Sequence, residues 1–357
     1  MLLYIRINDA LKSEVDKLVS KGDYTDFNSA AVTAIENLVT AERENSAARI
    51  PGSLPLQRSE ERQGVMTSQT NFDLSWTSVS NVPDKLVLPL PPDLFGPGEI
   101  VPVERWIFGQ QNRAFPAKVN ARLLVNLIAI RREAVELAEV AHEISVSASK
   151  VGVFLSNHDE KRRHKKDDLL STGFPEPRSD KSMSRYANHF VAYENTQGSL
   201  SGMMIEWKLA GVKRLKNKTY LLPTNACIEL ATFKNALLDH GVLTEPPTKF
   251  SGEELDYLLN HLRLNVPVES SAFTTVLDGI RSGADNPDSL DEYVRGHANE
   301  KREMTKAFTS TQRSGAVSRM ADLDLLVRVR DGIRISYQLS ERGTNWLETQ
   351  TKQNPEQ

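Results

Sequence analysis

The stretch MLLYIRIND at residues 1–9 alternates strictly between two kinds of side chain. Leu3, Ile5 and Ile7 share one face, and Leu2, Tyr4 and Arg6 share the other. This alternation is the period of a half-buried strand. The apolar spacing that follows predicts two helices, one ending at Gly22 and the next beginning near Asp26. One strand and two helices are too few to cover each other's apolar faces, so the segment predicts a dimer with paired strands.

Residues 1–44 resemble the ribbon-helix-helix family. The resemblance depends on the strand, on the turn Lys21-Gly22-Asp23-Tyr24 and on the helix start Asp26-x-x-Ser29. It implies a homodimer that binds DNA, in which outward strand residues contact bases and the start of the second helix holds a phosphate. The residues implied are Tyr4, Arg6, Asn28 and Ser29. The alternative is a dimerisation segment only, because acidic residues outnumber basic ones here and phosphate attraction dominates DNA affinity.

Composition excludes several classes of protein. The chain has 357 residues, a formal net charge of -3 and one cysteine, Cys227. A single cysteine rules out an internal disulfide and a zinc site built from cysteines. The longest apolar run, 123–130, contains Asn126, and the N-terminus lacks a signal-peptide pattern. We therefore expect no membrane partner and a cytoplasmic, nucleoid-associated protein.

The region after the N-terminal segment changes character at residue 45. Residues 45–115 are rich in proline and glycine, and 45–70 predict a flexible linker. From Phe72 to Phe108 apolar residues are frequent, so we expect extended arms on the surface of a following domain. Pro116 then predicts the start of a long helix that continues to about Ile144.

Two later stretches repeat one pattern of helix, strand, charged turn, strand and helix. The first covers 198–238 and the second 314–347, with Tyr220 and Leu222 corresponding to Tyr337 and Leu339. Both resemble the winged-helix fold, the second more clearly through Tyr-Gln-Leu-Ser-Glu-Arg-Gly at 337–343. The resemblance implies a helix in the DNA major groove and a basic hairpin, the wing, against the phosphate backbone.

The winged-helix resemblance implies DNA contacts by two sets of residues. In the first copy, Ser199, Ser201 and Lys208 lie near the groove, and the wing holds Lys213, Arg214, Lys216 and Lys218. In the second copy, the groove helix holds Arg313, Ser314, Ser318 and Arg319, and the wing holds Arg328, Arg330 and Arg334. The alternative is that these modules contact protein only.

Catalytic motifs are scarce in the sequence. We find no glycine-rich phosphate loop, no Gly-x-Ser-x-Gly elbow and no metal-binding spacing of histidines or cysteines. Glu206-Trp207-Lys208 resembles the Glu-x-Lys half of a metal-dependent nuclease motif, with Asp180 as a further magnesium ligand. That motif requires a strand, whereas the apolar spacing around it is helical, so we expect no enzyme and no cofactor.

The sequence predicts a mainly α fold with small β elements. We expect a ribbon-helix-helix dimerisation domain at 1–44, a linker and arm at 45–115, winged-helix domains at 116–240 and 250–349, and a disordered tail at 350–357. The predicted function is sequence-specific binding of double-stranded DNA by a dimeric prokaryotic transcriptional regulator. The alternative is a DNA-binding adaptor in a plasmid partition, replication or phage-defence complex, with a protein of the same operon as partner.

Overall fold

The computed structural model of the chain describes residues 81–162, 169–241, 249–298 and 304–353. The chain divides into two compact units, Met1–Asn71 and Phe72–Gln357, and every described residue belongs to the second. The predicted ribbon-helix-helix segment and its residues Tyr4, Arg6, Asn28 and Ser29 lie outside the described residues. The disordered tail predicted at 350–357 is wrong for residues 350–353, which end a helix, and its remainder lies outside the described residues.

The described part is mainly helical with small antiparallel sheets, as the sequence predicts. Its helices are α1 (Phe115–Arg131), α2 (Leu137–Arg162), α3 (Asp180–Tyr186, continued by a π-helical turn Ala187–Val191), α4 (Met203–Glu206), α5 (Asn225–Thr232), α6 (Ala236–His240), α7 (Gly252–Asn265), α8 (Pro267–Arg281), α9 (Pro287–Arg295), α10 (Lys306–Asp322) and α11 (Glu341–Gln353). Its strands are β1 (Val135–Glu136), β2 (Tyr193–Glu194), β3 (Leu200–Ser201), β4 (Ala210–Leu215), β5 (Lys218–Pro223), β6 (Leu326–Asp331) and β7 (Arg334–Leu339). No helix of the described ranges is long and apolar enough to cross a membrane.

The long helix predicted from Pro116 to Ile144 is wrong, because two helices occupy this region. Helix α1 ends at Arg131, and Arg132 takes a left-handed conformation with φ of 54°. Its N–H closes the helix on the carbonyl of Ile128 at 2.9 Å. The chain then forms the short strand β1 and turns into α2. The break allows β1 to join a sheet.

The first half of the unit, residues 115–240, is built around a three-stranded antiparallel sheet. Strand β5 lies in the centre, between β1 and β4. Val135 and Glu136 pair with Leu221 and Tyr220, and β4 pairs with β5 along its whole length. Helices α1, α2 and α5 contact this sheet and bury its apolar face.

The second half, residues 249–353, has a similar order of elements, but its described residues include no counterparts of β2, β3 and α4. Helices α8, α9 and α10 are followed by the β6–β7 hairpin and α11. The backbone N–H of Tyr337 on β7 bonds the carbonyl of Asp285, which lies between α8 and α9, at 2.6 Å. Tyr220 occupies the equivalent place in the first half, where it pairs with Glu136 between α1 and α2. The correspondence of Tyr220 with Tyr337 in the sequence is thus matched by their positions in the two halves.

An extended arm, residues 101–114, connects the two halves. Val101, Val103, Trp106 and Ile107 are buried in one core that also contains residues of α1 and α8. The arm crosses α10 so closely that a Cβ on Gly315 would lie 2.5 Å from the Cα of Gly109. The sequence predicts that the apolar 72–108 region lies on the surface of the following domain. Where this region is described it does contact the rest of the unit, but much of it is buried in the core instead of lying on the surface.

Candidate nucleic-acid interface

A groove of about 740 Å³ opens in the first half of the unit. Its walls are the first turns of α2, the exposed side of α3 and its π-helical turn, and the end of the β4–β5 hairpin. Polar lining residues include His142, Asp180, Ser184, Asn188, Lys218 and Thr219. The groove thus lies between a short exposed helix and a basic hairpin.

Helix α3 begins at a serine N-cap, and aromatic side chains on its inner side fix it to α1. The Ser179 hydroxyl accepts the N–H of Ser182 at 3.2 Å. Tyr186 donates its hydroxyl to Asn120 of α1 at 2.7 Å, and Asn120 in turn donates to the carbonyl of Phe190. Burial raises the pKa of Tyr186 far above its ordinary value, so its hydroxyl remains protonated as the donor. The helix is fixed on its inner side.

The outer side of α3 carries polar and basic residues. Lys181, Ser184 and Arg185 are exposed, and Arg178 is exposed just before the helix. Burial and the nearby Arg185 lower the pKa of His189, whose ring lies 5.6 Å from that of Phe108. The neutral His189 therefore belongs to the packing of the helix, whereas Lys181 and Arg185 face outward.

The β4–β5 hairpin presents the four basic residues predicted for the first wing. Lys213, Arg214, Lys216 and Lys218 are all exposed. Lys216 and Asn217 form the two-residue loop and both have positive φ, of 49° and 63°, the pattern of a type I′ turn.

Two of these four side chains are bound to their neighbours. Arg214 bonds Glu194 at 2.8 Å and the carbonyl of Gly198 at 2.7 Å. Lys218 pairs with Glu136 at 3.0 Å. Lys213 and Lys216 make no ion pair with any residue that the structure describes. Both remain available to an anionic partner.

The predicted groove helix of the first copy is not formed. Helix α4 covers only Met203–Glu206, and its Met203 and Met204 are buried. Ser199 lies in an exposed turn and Ser201 in β3, ahead of that helix. Lys208 is nearly buried and pairs with Asp93 at 2.9 Å, so its prediction as a DNA contact is corrected to a structural ion pair.

The predicted groove helix of the second copy is also corrected. Helix α10 is buried from Gln312 to Met320 apart from Ser314, which is exposed. Arg319 has no exposed surface and bonds Glu269 at 2.5 Å and 2.9 Å. Arg313 is buried against Asp291 at 2.9 Å. Neither arginine can reach a base, because α10 lies inside the unit under the arm.

The second hairpin projects from the unit as predicted. Arg330 and Arg334 are exposed on β6 and β7. Arg328 is half-buried and donates to the hydroxyl of Ser318 at 2.6 Å, so both residues fasten the hairpin to α10.

A group of buried charges joins the two halves near Glu206. Burial, together with the carboxylates of Glu269 and Asp93, raises the pKa of Glu206 to about 7 against the opposing effect of Arg319. Glu206 ends a helix, and the Lys208 ammonium is occupied by Asp93. Glu206 and Lys208 therefore do not lie side by side on a strand, as the nuclease motif requires. Among the described residues no group of three or more histidine, cysteine or carboxylate side chains could hold a metal ion.

Helix α3 is the functional candidate that the sequence patterns missed. Its signals were present: the Ser179 cap, and the aromatic residues Tyr186 and Phe190 four apart on one face. Comparison with protein-family profiles, with curated proteins and with solved structures gives no match for this chain.

Proposed function

We propose that the chain binds double-stranded DNA through α3 and the β4–β5 hairpin. The observation that carries the proposal is the groove, in which α3 and the hairpin form two of the three walls. A duplex needs one element for the base edges and another for the flanking phosphates, and the two must face the same side. Helix α3 supplies the first and the hairpin the second.

The order of elements supports a winged-helix arrangement in each half. In that arrangement a first helix leads into a short strand, two helices follow, and a hairpin pairs its second strand with the short one. Strand β1 pairs with β5 in the first half, and Asp285 bonds Tyr337 in the second. By this order α3 takes the place of the DNA-reading helix in the first half.

The charges on these two elements suit a phosphate backbone. Arg178, Lys181 and Arg185 are exposed on or next to α3, and Lys213 and Lys216 are exposed on the hairpin. The nearby carboxylates of Glu136 and Glu194 are occupied by Lys218 and Arg214. Asp180, exposed at the start of α3, is the further carboxylate that lines this groove. Ser184, Arg185 and Asn188 are the residues we assign to the base edges.

A salt titration tests the proposal. We expect the variant with Lys181, Lys213 and Lys216 changed to alanine to bind a 30-base-pair duplex more weakly. Each lysine that contacts a phosphate contributes about one unit to the slope of log affinity against log salt, so the slope should flatten by up to about three. Fluorescence anisotropy of the labelled duplex measures both quantities.

A charge-matched variant serves as the control. Lys85, Lys150 and Arg295 are exposed and lie outside α3 and the hairpin. Their replacement by alanine removes the same net charge and should leave the salt slope unchanged. Equal slopes for the two variants would refute the proposed interface.

The biological role we propose is a dimeric transcriptional regulator, with dimerisation through residues 1–44. Deleting 1–44 should yield monomers by light scattering. The burial of α10 favours the adaptor as a second candidate, because the second half then offers protein contacts instead of a reading helix. Co-purification with a protein of the same operon, without binding to a promoter palindrome, would establish the adaptor.

We further propose that the protein has no nuclease activity. Wild type should leave plasmid DNA intact in magnesium. Reproducible nicking that Glu206→Gln abolishes would establish the nuclease alternative.

A further inference from the structure

The two hairpins differ in what they carry at their ends. The loop of the first is Lys216-Asn217, which is polar and charged. The loop of the second is Gly332-Ile333, closed by the pair Asp331 and Arg334. Ile333 is 99% exposed, more than any other large apolar side chain of the described residues.

The backbone of the second loop holds this side chain away from the unit. Gly332 has φ of 58°, which fits glycine at the first position of a type II′ turn. A Cβ on Gly332 would meet nothing within 4 Å. Ile333 therefore adds nothing to the core, although water contact with an isoleucine side chain is unfavourable. At the end of a hairpin, Ile333 is accessible to another molecule.

Arginines flank Ile333 on both faces of the hairpin. In the register of β6 and β7, Arg330 lies opposite Ile335 and Asp331 opposite Arg334. Because side chains alternate between the faces of a strand, Arg330 and Arg334 lie on opposite faces next to the loop. Asp331 shares the face of Arg334, and the hairpin as a whole is basic. An apolar end with a cation on each side matches a cleft between two rows of anions.

We propose that Ile333 inserts as a wedge between base pairs from the minor groove of DNA. The inference rests on the proposed DNA binding and adds a second contact with a different role. The minor groove is about 6 Å wide and is bounded by two phosphate backbones, so an isoleucine enters while Arg330 and Arg334 reach one backbone each. Isoleucine is among the side chains that unstack base steps and kink the duplex. Pyrimidine–purine steps unstack most easily and are the preferred targets.

Unwinding of closed circular DNA tests the wedge without a known binding site. Relaxed plasmid is treated with topoisomerase I in the presence of the full chain, the protein is removed, and topoisomers are separated on a gel. A wedge between base pairs unwinds the duplex, so wild type should leave the plasmid with a lowered linking number. Ile333→Ser should lose most of this change, whereas its affinity should fall less than about threefold because phosphate contacts dominate affinity.

Two further variants make the test specific. Ile333→Leu should retain the unwinding, since leucine also serves as a wedge. Val327 is 49% exposed on the same hairpin but lies at its base, so Val327→Ser should behave as wild type. Unchanged circular dichroism of Ile333→Ser confirms that the fold is intact.

The outcomes separate the wedge from the proposed function. If wild type binds plasmid but leaves the linking number unchanged, the wedge is refuted and DNA binding stands. If Ile333→Ser unwinds DNA as wild type does, the wedge is refuted, and loss of self-association in that variant would assign the loop to a protein contact. If wild type does not bind plasmid, the proposed function and the wedge both fail.

Discussion

Glu206→Gln should make the protein more stable above neutral pH and leave its stability in acid nearly unchanged. Glu206 lies at the end of α4 among Glu269, Asp93 and Arg319, and burial is the main reason that its pKa rises from 4.5 to about 7. The folded protein therefore holds this proton over a pH range in which the unfolded chain has released it. The contribution of Glu206 to stability is greatest below pH 4.5 and is lost as the pH rises to about 7.

The magnitude follows from the two pKa values. Each tenfold change in a protonation equilibrium is worth about 1.4 kcal/mol, so ionising Glu206 in the folded protein costs up to about 3 kcal/mol. Glutamine has nearly the same shape and never ionises. We expect the variant to gain up to that amount at pH 8, which corresponds to a rise in Tm of roughly 6 °C. At pH 5 the gain should be below about 1 kcal/mol.

Thermal unfolding at pH 5 and pH 8, followed by circular dichroism, measures the effect. Glu133 is exposed between α1 and β1, so Glu133→Gln is the matched control and should change Tm equally little at both pH values. A gain for Glu206→Gln that does not depend on pH would refute the reasoning. So would a loss of stability at pH 8.

Two further substitutions test the packing of the unit. Lys118 and Glu254 form an ion pair of 2.8 Å with no exposed side-chain surface, so Lys118→Met should cost about 3–5 kcal/mol in urea unfolding by leaving Glu254 unpaired. A loss below about 1 kcal/mol would contradict this. Gly315→Ala places a Cβ against the backbone of Gly109 and should destabilise by more than about 2 kcal/mol. Gly252→Ala is the control, because Gly252 lies in open space at the start of α7, and it should be neutral or stabilise by about 0.5 kcal/mol in the same thermal melts. Equal effects of Gly315→Ala and Gly252→Ala would refute the close approach of the arm to α10.

The hairpins were predictable from the sequence, because each places charged residues between two apolar strands. The equivalent positions of Tyr220 and Tyr337 were predictable for the same reason, because each residue lies on the second strand of its hairpin. The end of α1 was not predictable, since Arg132 takes its left-handed conformation without a glycine or a proline to mark it. A local pattern identifies strands and turns but not a break of this kind.

The buried arginines were not predictable from local charge. The sequence around Arg319 predicts an exposed residue on a basic helix. Its carboxylate partner Glu269 is 50 residues away in the sequence. Arg313 likewise finds Asp291 on a neighbouring helix. A charged residue is assigned to the surface by default, because burial without a partner is unfavourable. Only the tertiary fold supplies the partner.

The arm is synthesised long before the helix that covers it. Gly109 bonds Gln312, and Gln111 bonds Arg319, across 203 and 208 residues of chain. At the usual speed of a ribosome, roughly 10 to 40 seconds separate the emergence of the arm from that of α10. During that interval Trp106, Ile107 and their apolar neighbours have no helix to cover them. Apolar surface exposed in this way makes the folding intermediates of long chains prone to aggregate, and contacts between residues distant in sequence slow folding.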